Sequence, residues 1–220
     1  MRRGDLIAVG GYLLAAIGAI ALAERLRERG IPARYTRKLV HVAAGLSPLY
    51  IVWFADTKWA GVLPYAATVV TNAIFWKRGT FQAMSSQEGT PGIVYFPLIQ
   101  GLMLAWLWEP RSSSSRLHIA LAALLTLALG DAAAALIGQQ WGLHRYGVGS
   151  NRKSWEGSAA MLAVSACVVG ATLRVARVPQ WAEAALLAGV TATGVEALSP
   201  HGLDNLTVPA SVALVLLAVL

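Results

Sequence analysis

The chain has 220 residues, of which 56% are hydrophobic and only 13% charged, and its mean hydropathy is +0.57. Soluble domains run near a quarter charged, so this composition excludes an ordinary soluble protein and leaves no length for a separate soluble domain. The net charge of +7 does not indicate nucleic acid, because a basic excess in so apolar a chain belongs to loops facing the cytoplasm or to anionic lipid heads and nucleotides.

A bilayer core of roughly 30 Å takes about 20 apolar residues per helix. Apolar runs fall at 6–23, 39–55, 59–76, 92–108, 117–137, 157–173 and 181–197, with a shorter one at 206–220. They are long and rich in Ala and Leu, which disfavours β structure. The expectation is an all-α fold: one integral membrane domain over 1–220, a polytopic transmembrane helix bundle of about seven spans, or eight if the last run crosses. Met1-Arg2-Arg3 before the first run, and Ala21-Leu22-Ala23 at its end, imitate a signal peptide. The run is longer than the usual apolar segment of such a peptide and reads as an uncleaved span. The lone cysteine, Cys167, excludes an internal disulfide, and zinc-ligand spacing is absent.

Orientation follows from the basic residues. The loops after the first, third, fifth and seventh runs hold 11 Lys and Arg, and the other side holds 7. The first set is expected in the cytoplasm, with the N-terminus opposite. Ionisable residues inside membrane helices are costly and point to function. His41, Asp131 and Glu196 all lie toward the basic side, where the loops add Arg37, Lys38, Glu88, Arg152, Lys153, Glu156, Asp204 and Asn205. The other side offers Asp56, Glu109 and scattered arginines.

Four segments carry the chemistry. Thr36-Arg37-Lys38-Leu39-Val40-His41 places Arg37 and His41 on one helix face, a grip for phosphate or simply an anchor at the membrane surface. Gly130, Ala134 and Gly138 repeat a small residue every fourth position, which lets a neighbouring helix approach closely. That packing does not account for Asp131, which needs a partner or a metal. Gly142 to Gly157 is a glycine-rich basic loop (Gly147, Gly149, Ser150, Arg152, Lys153) running into a helix start, suited to an anion. It lacks the order of a Walker A loop, and Glu156 is placed to hold a cation or cap the helix. Glu196 to Pro209, through Ser199, His201, Asp204 and Asn205, pairs a carboxylate with a carboxamide, hard oxygens suited to Mg²⁺, or else makes a turn. A basic, carboxylate-dotted patch at a membrane face is what phosphoryl transfer uses.

The segments Arg37-Lys38…His41, Gly92-Ile93-Val94-Tyr95-Phe96-Pro97, Gly130-Asp131, Lys153-Ser154-Trp155-Glu156-Gly157 and Asp204-Asn205-Leu206-Thr207-Val208-Pro209 occur in this order. Their order and spacing resemble the polyprenol kinase family of dolichol, phytol and CTP-dependent diacylglycerol kinases. The Gly-Asp and Lys-Ser-x-Glu-Gly portion is also similar to phosphatidate cytidylyltransferases. Where relatives carry a Gly-Lys-His step, this chain reads Gly142-Leu143-His144-Arg145, which makes Arg145 the candidate for the displaced basic role.

The resemblance implies a membrane lipid alcohol as acceptor, CTP (or UTP) as donor and Mg²⁺ as cofactor. Asp131, Asp204 and Asn205 would bind the metal, Glu156 assisting, and Arg37, Lys38, Arg152, Lys153 and Ser154 would line the nucleotide phosphates. Asp131, Lys153, Glu156 and His41 are the catalytic candidates, with the base for the alcohol proton open among Asp131, Glu156 and His41. Two rivals stand beside this: a CTP-using cytidylyltransferase, and a small transporter with Asp131 and Glu196 as its relay.

Overall fold

The computed structural model describes residues 2–78, 92–112, 115–148, 151–200 and 202–220. Glu88, Gly149, Ser150 and His201 lie outside them. Among the described residues the fold is all-α apart from one small hairpin: α1 (Arg3–Glu28), α2 (Ala33–Gly45), α3 (Ser47–Phe54), α4 (Lys58–Arg78), α5 (Gly92–Leu107), α6 (Ser115–Leu125), a π-helical turn (Thr126–Gly130), α7 (Asp131–Trp141), β1 (Arg145–Val148), β2 (Asn151–Ser154), α8 (Trp155–Val175), α9 (Trp181–Leu198) and α10 (Asp204–Val219). It is an integral membrane protein. Among the described residues Arg3–Glu28, Arg116–Trp141 and Trp155–Val175 are long and apolar enough to cross a bilayer, and Gly92–Leu107 and Asp204–Val219 are shorter apolar helices. Leu14, Ile17, Leu63, Val175 and Leu186 point outward, as side chains do when the solvent is lipid. Trp53, Trp59, Trp141 and Trp155 are exposed at helix ends, where aromatic side chains meet lipid head groups.

Two compact units divide the chain, Met1–Ser113 and Ser114–Leu220. In the first, α1 packs on α2, α3 and α4, and α4 on α5. The run 39–55, expected as one span, is broken into α2 and α3. Pro48 cannot supply the N–H that would bond the Ala44 carbonyl four residues back. That carbonyl is instead reached by Ser47 Oγ at 2.6 Å and by Gln100 Nε2 of α5 at 3.0 Å, so the break is stabilised from a neighbouring helix. Tyr65, fully buried, bonds Ser47 Oγ at 2.8 Å beside it.

In the second unit α6, the π turn and α7 form one continuous rod, Arg116–Trp141. It is the central element of this unit and is mostly buried, whereas α1 in the first unit is mostly exposed. Around it lie α8, α9 and α10. α8 packs on α6, the π turn, α7 and α9, and α10 on α9, α6 and the π turn. The core is made largely of apolar side chains: Ala120, Ala122, Leu127, Met161, Val169, Ala188 and Leu216 are all buried.

Candidate functional site

The glycine-rich basic loop is an antiparallel hairpin, which the loop reading did not anticipate. Arg145 pairs with Ser154, Tyr146 with Lys153 and Gly147 with Arg152. Its open end is tied by Trp155 N–H donating to the His144 carbonyl at 3.0 Å. Tyr146 fixes the hairpin to α8 through its hydroxyl, 2.6 Å from Ser158 Oγ, and its ring lies 5.3 Å from that of Trp155. Strand β2 runs straight into α8. Ser154 is extended (φ −136°, ψ 150°) and its Oγ accepts the Gly157 N–H at 3.1 Å, an N-cap that satisfies one of the open amides of the first turn.

Glu156 stands in the same first turn. Its carboxylate meets its own backbone N–H and also folds back on the hairpin, accepting the His144 N–H at 3.2 Å and lying 2.7 Å from His144 Nδ1. An imidazole carrying its proton on Nδ1 leaves the Nε2 lone pair outward, and the ring is 76% exposed. His144 is therefore a member of the site that sequence reasoning passed over. Arg145 is exposed, and its Nε donates to the Gly142 carbonyl at 3.4 Å. Arg152 is exposed.

The small-residue stripe does the packing expected of it. A Cβ on Gly138 would stand 2.9 Å from Ser154 Oγ, one on Gly142 2.8 Å from the same atom, and one on Gly157 2.8 Å from the Ala134 carbonyl oxygen. One on Gly130 would stand 2.8 Å from both Met161 Sδ and Ser165 Oγ. Bare backbone at these positions brings the start of α8 against the last turns of α7. Asp131 opens α7 directly after the π turn, and such turns interrupt helices most often at functional positions. Because the helix continues to Trp141 rather than ending near 137, Asp131 lies about 15 Å from that end along the axis and about 10 Å from the level of Gly138 and Ser154. It is deeper than the sequence suggested. Thr126 Oγ1 and Ser165 Oγ, on the turn and on the facing helix, are buried without a hydrogen-bond partner among the described residues.

Lys153 reaches across to the end of α9. Its ammonium donates to the Glu196 backbone carbonyl and lies 2.5 Å from Glu196 Oε1. The two side chains are 15% and 10% exposed. The carbonyl is one of the last four in α9, which have no acceptor role inside the helix, so Lys153 both pairs the carboxylate and caps the helix. Just beyond, Ser199 Oγ donates to the Val195 carbonyl and meets Thr207 Oγ1, each at 2.7 Å, tying α9 to α10. Asp204 and Asn205 open α10. Asp204 Oδ1 accepts the Asn205 N–H at 2.9 Å, and Asn205 Nδ2 donates to the Gly202 carbonyl at 3.4 Å. Gly202 has φ +81°, a left-handed conformation glycine adopts without strain.

Arg37, Lys38 and His41 belong to the first unit, on α2, all half-buried. His41 packs its ring 4.4 Å from that of Phe96, so two of the recurrent segments meet there, while the other three belong to the second unit. The first unit also holds a carboxylate the sequence did not single out. Asp5 is 2% exposed. Its Oδ1 accepts from Asp56 N, Thr57 N and Thr57 Oγ1 at 2.9, 2.9 and 3.1 Å, and its Oδ2 from Arg2 N at 3.2 Å. Around it Asp56 accepts the Gly4 N–H at 3.1 Å and pairs Arg111 at 2.7 Å, and Lys58 pairs Glu109 at 3.2 Å. Polar chemistry is thus not confined to one set of helix ends.

As to a metal, no group of three or more His, Cys, Asp or Glu gathers among the described residues, so an all-protein cage is not built. One or two carboxylates and a carboxamide, completed by water and phosphate, suit Mg²⁺ by donor chemistry, and Asp131, Asp204 and Asn205 are such donors.

No family model matches the chain, and no solved structure matches it. A phytol kinase from Synechocystis sp. is 33% identical over 222 aligned residues, covering 95% of this chain and 90% of that protein.

Proposed function

The chain belongs to the polyprenol and phytol kinase family, and from that premise we propose that it transfers the γ-phosphoryl group of CTP or UTP to the hydroxyl of a prenyl alcohol held in the bilayer, such as phytol, geranylgeraniol or a polyprenol. The observation that carries the proposal is the match along nearly the whole chain to a phytol kinase, which spans every recurrent segment. The geometry of the second unit supports it: a cation-bearing hairpin, a capped helix start and a carboxylate–carboxamide pair stand at the linked ends of α7, α8, α9 and α10. In this reading the chain crosses the bilayer about seven times with its basic loops in the cytoplasm. The membrane then delivers the alcohol and the cytoplasm the nucleotide.

The alcohol oxygen attacks the γ-phosphorus, the bond to the β-phosphate oxygen breaks, the nucleoside diphosphate leaves, and the hydroxyl proton passes to a base. The protein contributes positioning and charge. Lys153 and Arg152 on β2 present cations to the nucleotide phosphates, Ser154 holds the start of α8 in shape, and the open N–H groups of that helix start favour an anion. In the first unit, α2 carries the further basic groups Arg37, Lys38 and His41. Mg²⁺, held by Asp131, Asp204 and Asn205, would supply charge neutralisation to the phosphates. Glu156 and His144, hydrogen-bonded as they are, form a carboxylate–imidazole pair able to take a proton.

Purified protein given CTP labelled in the γ position, Mg²⁺ and a panel of prenyl alcohols should put the label into lipid. Label entering lipid from the α position instead, with pyrophosphate released, assigns the cytidylyltransferase reaction. Label in no lipid under either scheme ends the kinase reading, and counterflow uptake that depends on Asp131 would point to transport. Competition among CTP, UTP and ATP decides the donor.

A further inference from the structure

The proposed reaction uses Lys153 but has no task for Glu196, a buried carboxylate 43 residues away in the chain. A buried carboxylate in a membrane helix is costly unless it is paired. This one is paired by a cation on a different element, a hairpin strand that precedes the helix start suited to phosphate. The pairing has a definite donor count. An ammonium carries three N–H groups. The Glu196 carbonyl and carboxylate take two, and among the described residues no acceptor takes the third. The same carboxylate sits one turn before Ser199, which is bonded to Thr207 in the first turn of α10, the helix that Asp204 and Asn205 open.

We propose that Glu196 is the positioning residue for Lys153: it holds the ammonium fixed against the end of α9, with one N–H directed to a phosphate oxygen of the donor nucleotide. This inference rests on the kinase reading for the identity of the anion, and on the Lys153–Glu196 pair alone for the positioning. Lys is a flexible point charge on a four-carbon stem, and an unanchored one would spread over many rotamers. Clamped at two donors it presents one direction. Because the clamp is the α9 end, a shift of the hairpin is also felt at the Ser199–Thr207 bond and so at the α10 start.

Three measurements test it. Glu196→Gln keeps the shape and one oxygen but removes the charge. It should lower kcat/KM for the donor nucleotide by about 10- to 100-fold, the usual cost of losing a residue that orients a direct ligand, with KM for the alcohol within about twofold. Placed on a Lys153→Met background it should cost almost nothing more, because a positioning residue acts only through its partner. Added loss in the double variant, or an equal rise in the alcohol KM, overturns the proposal. The second measurement needs no enzymatic activity. Lys153 should be acylated by an amine-reactive ester at least about fivefold faster in Glu196→Gln than in the wild type, because the amine is no longer held against the carboxylate and turns outward to the reagent more often. Equal rates overturn the clamp. If the wild type puts label into no lipid, the kinase reading fails while the acylation comparison still decides the clamp. The third uses Glu196→Asp, should the Gln variant not accumulate. Its shorter carboxylate should give intermediate acylation and intermediate donor kcat/KM, and wild-type values for both would sink the proposal.

Discussion

Asp5 in the first unit and Glu196 in the second are both buried carboxylates, 2% and 7% exposed, and they are satisfied in opposite ways. Asp5 is held by three backbone N–H groups and a threonine hydroxyl, all from residues that begin a helix or link two. Those donors cannot leave without unfolding the connection, so Asp5 is a permanent fastening of α1 to the turn between α3 and α4. Glu196 is held by a side chain on a hairpin. A lysine that gives two N–H groups to Glu196 keeps a third for another anion, so that contact can take part in binding. The lesson concerns how buried charge is read: the identity of the donor, backbone or side chain, separates fastening from function where burial alone does not.

The comparison can be broken most sharply at Lys153. Lys153→Met should leave Glu196 buried without its counter-charge, costing about 3–5 kcal/mol, and should cut phosphoryl transfer by about 100-fold or more, as for loss of one preorganised donor. Thermal unfolding in detergent and labelled-CTP assays read the two effects, and near-wild-type activity in the folded fraction would remove Lys153 from the site. Asp5→Ala should cost about 2–4 kcal/mol by stranding buried N–H donors, while the protein that remains folded turns over at the wild-type rate. Reduced kcat there would mean that the fastening also shapes a site.

Smaller effects sharpen the same contrast through packing. Gly157→Ala places a Cβ 2.8 Å from the Ala134 carbonyl oxygen and should cost about 1–3 kcal/mol by forcing α7 and α8 apart. It should lower activity as well, since Ser154 and the helix start move with α8. Gln100→Ala leaves the Ala44 carbonyl to Ser47 alone and should cost about 1 kcal/mol, the ordinary worth of one hydrogen bond, with no change in donor KM. Thermal shifts of the two variants, taken side by side, check the order.

Much of this was legible from residues one to four positions apart. The apolar runs mark the helices closely, with α1, α4, α5, α8, α9 and α10 falling on their predicted stretches, because a lipid-exposed helix must be apolar along its length. The stripe Gly130–Ala134–Gly138 announced the close approach of a neighbouring helix. The break at Pro48 was also present as a signal, a proline after a serine, but it is masked by the unbroken apolarity of 39–55. The hairpin was not legible, since Arg145–Ser154 has no apolar alternation and its ends are tied by contacts to α8, Tyr146 to Ser158 and Trp155 N–H to the His144 carbonyl. The N-cap role of Ser154 and the bond from Glu156 to His144 were not legible either, because both depend on the hairpin.

By itself the sequence determined that the protein lives in a membrane, that it is built of helices along most of its apolar runs, and which segments it shares with a family of lipid alcohol kinases, because composition, period and motif are properties of neighbours along the chain. Only the tertiary structure decided which polar groups meet. Lys153 finds Glu196, Ser199 finds Thr207 and Asp5 finds Thr57 across gaps of 43, 8 and 52 residues. Nothing in a linear pattern encodes such pairings, because they depend on which helix faces pack, and that is set by the small residues and proline breaks acting together in three dimensions.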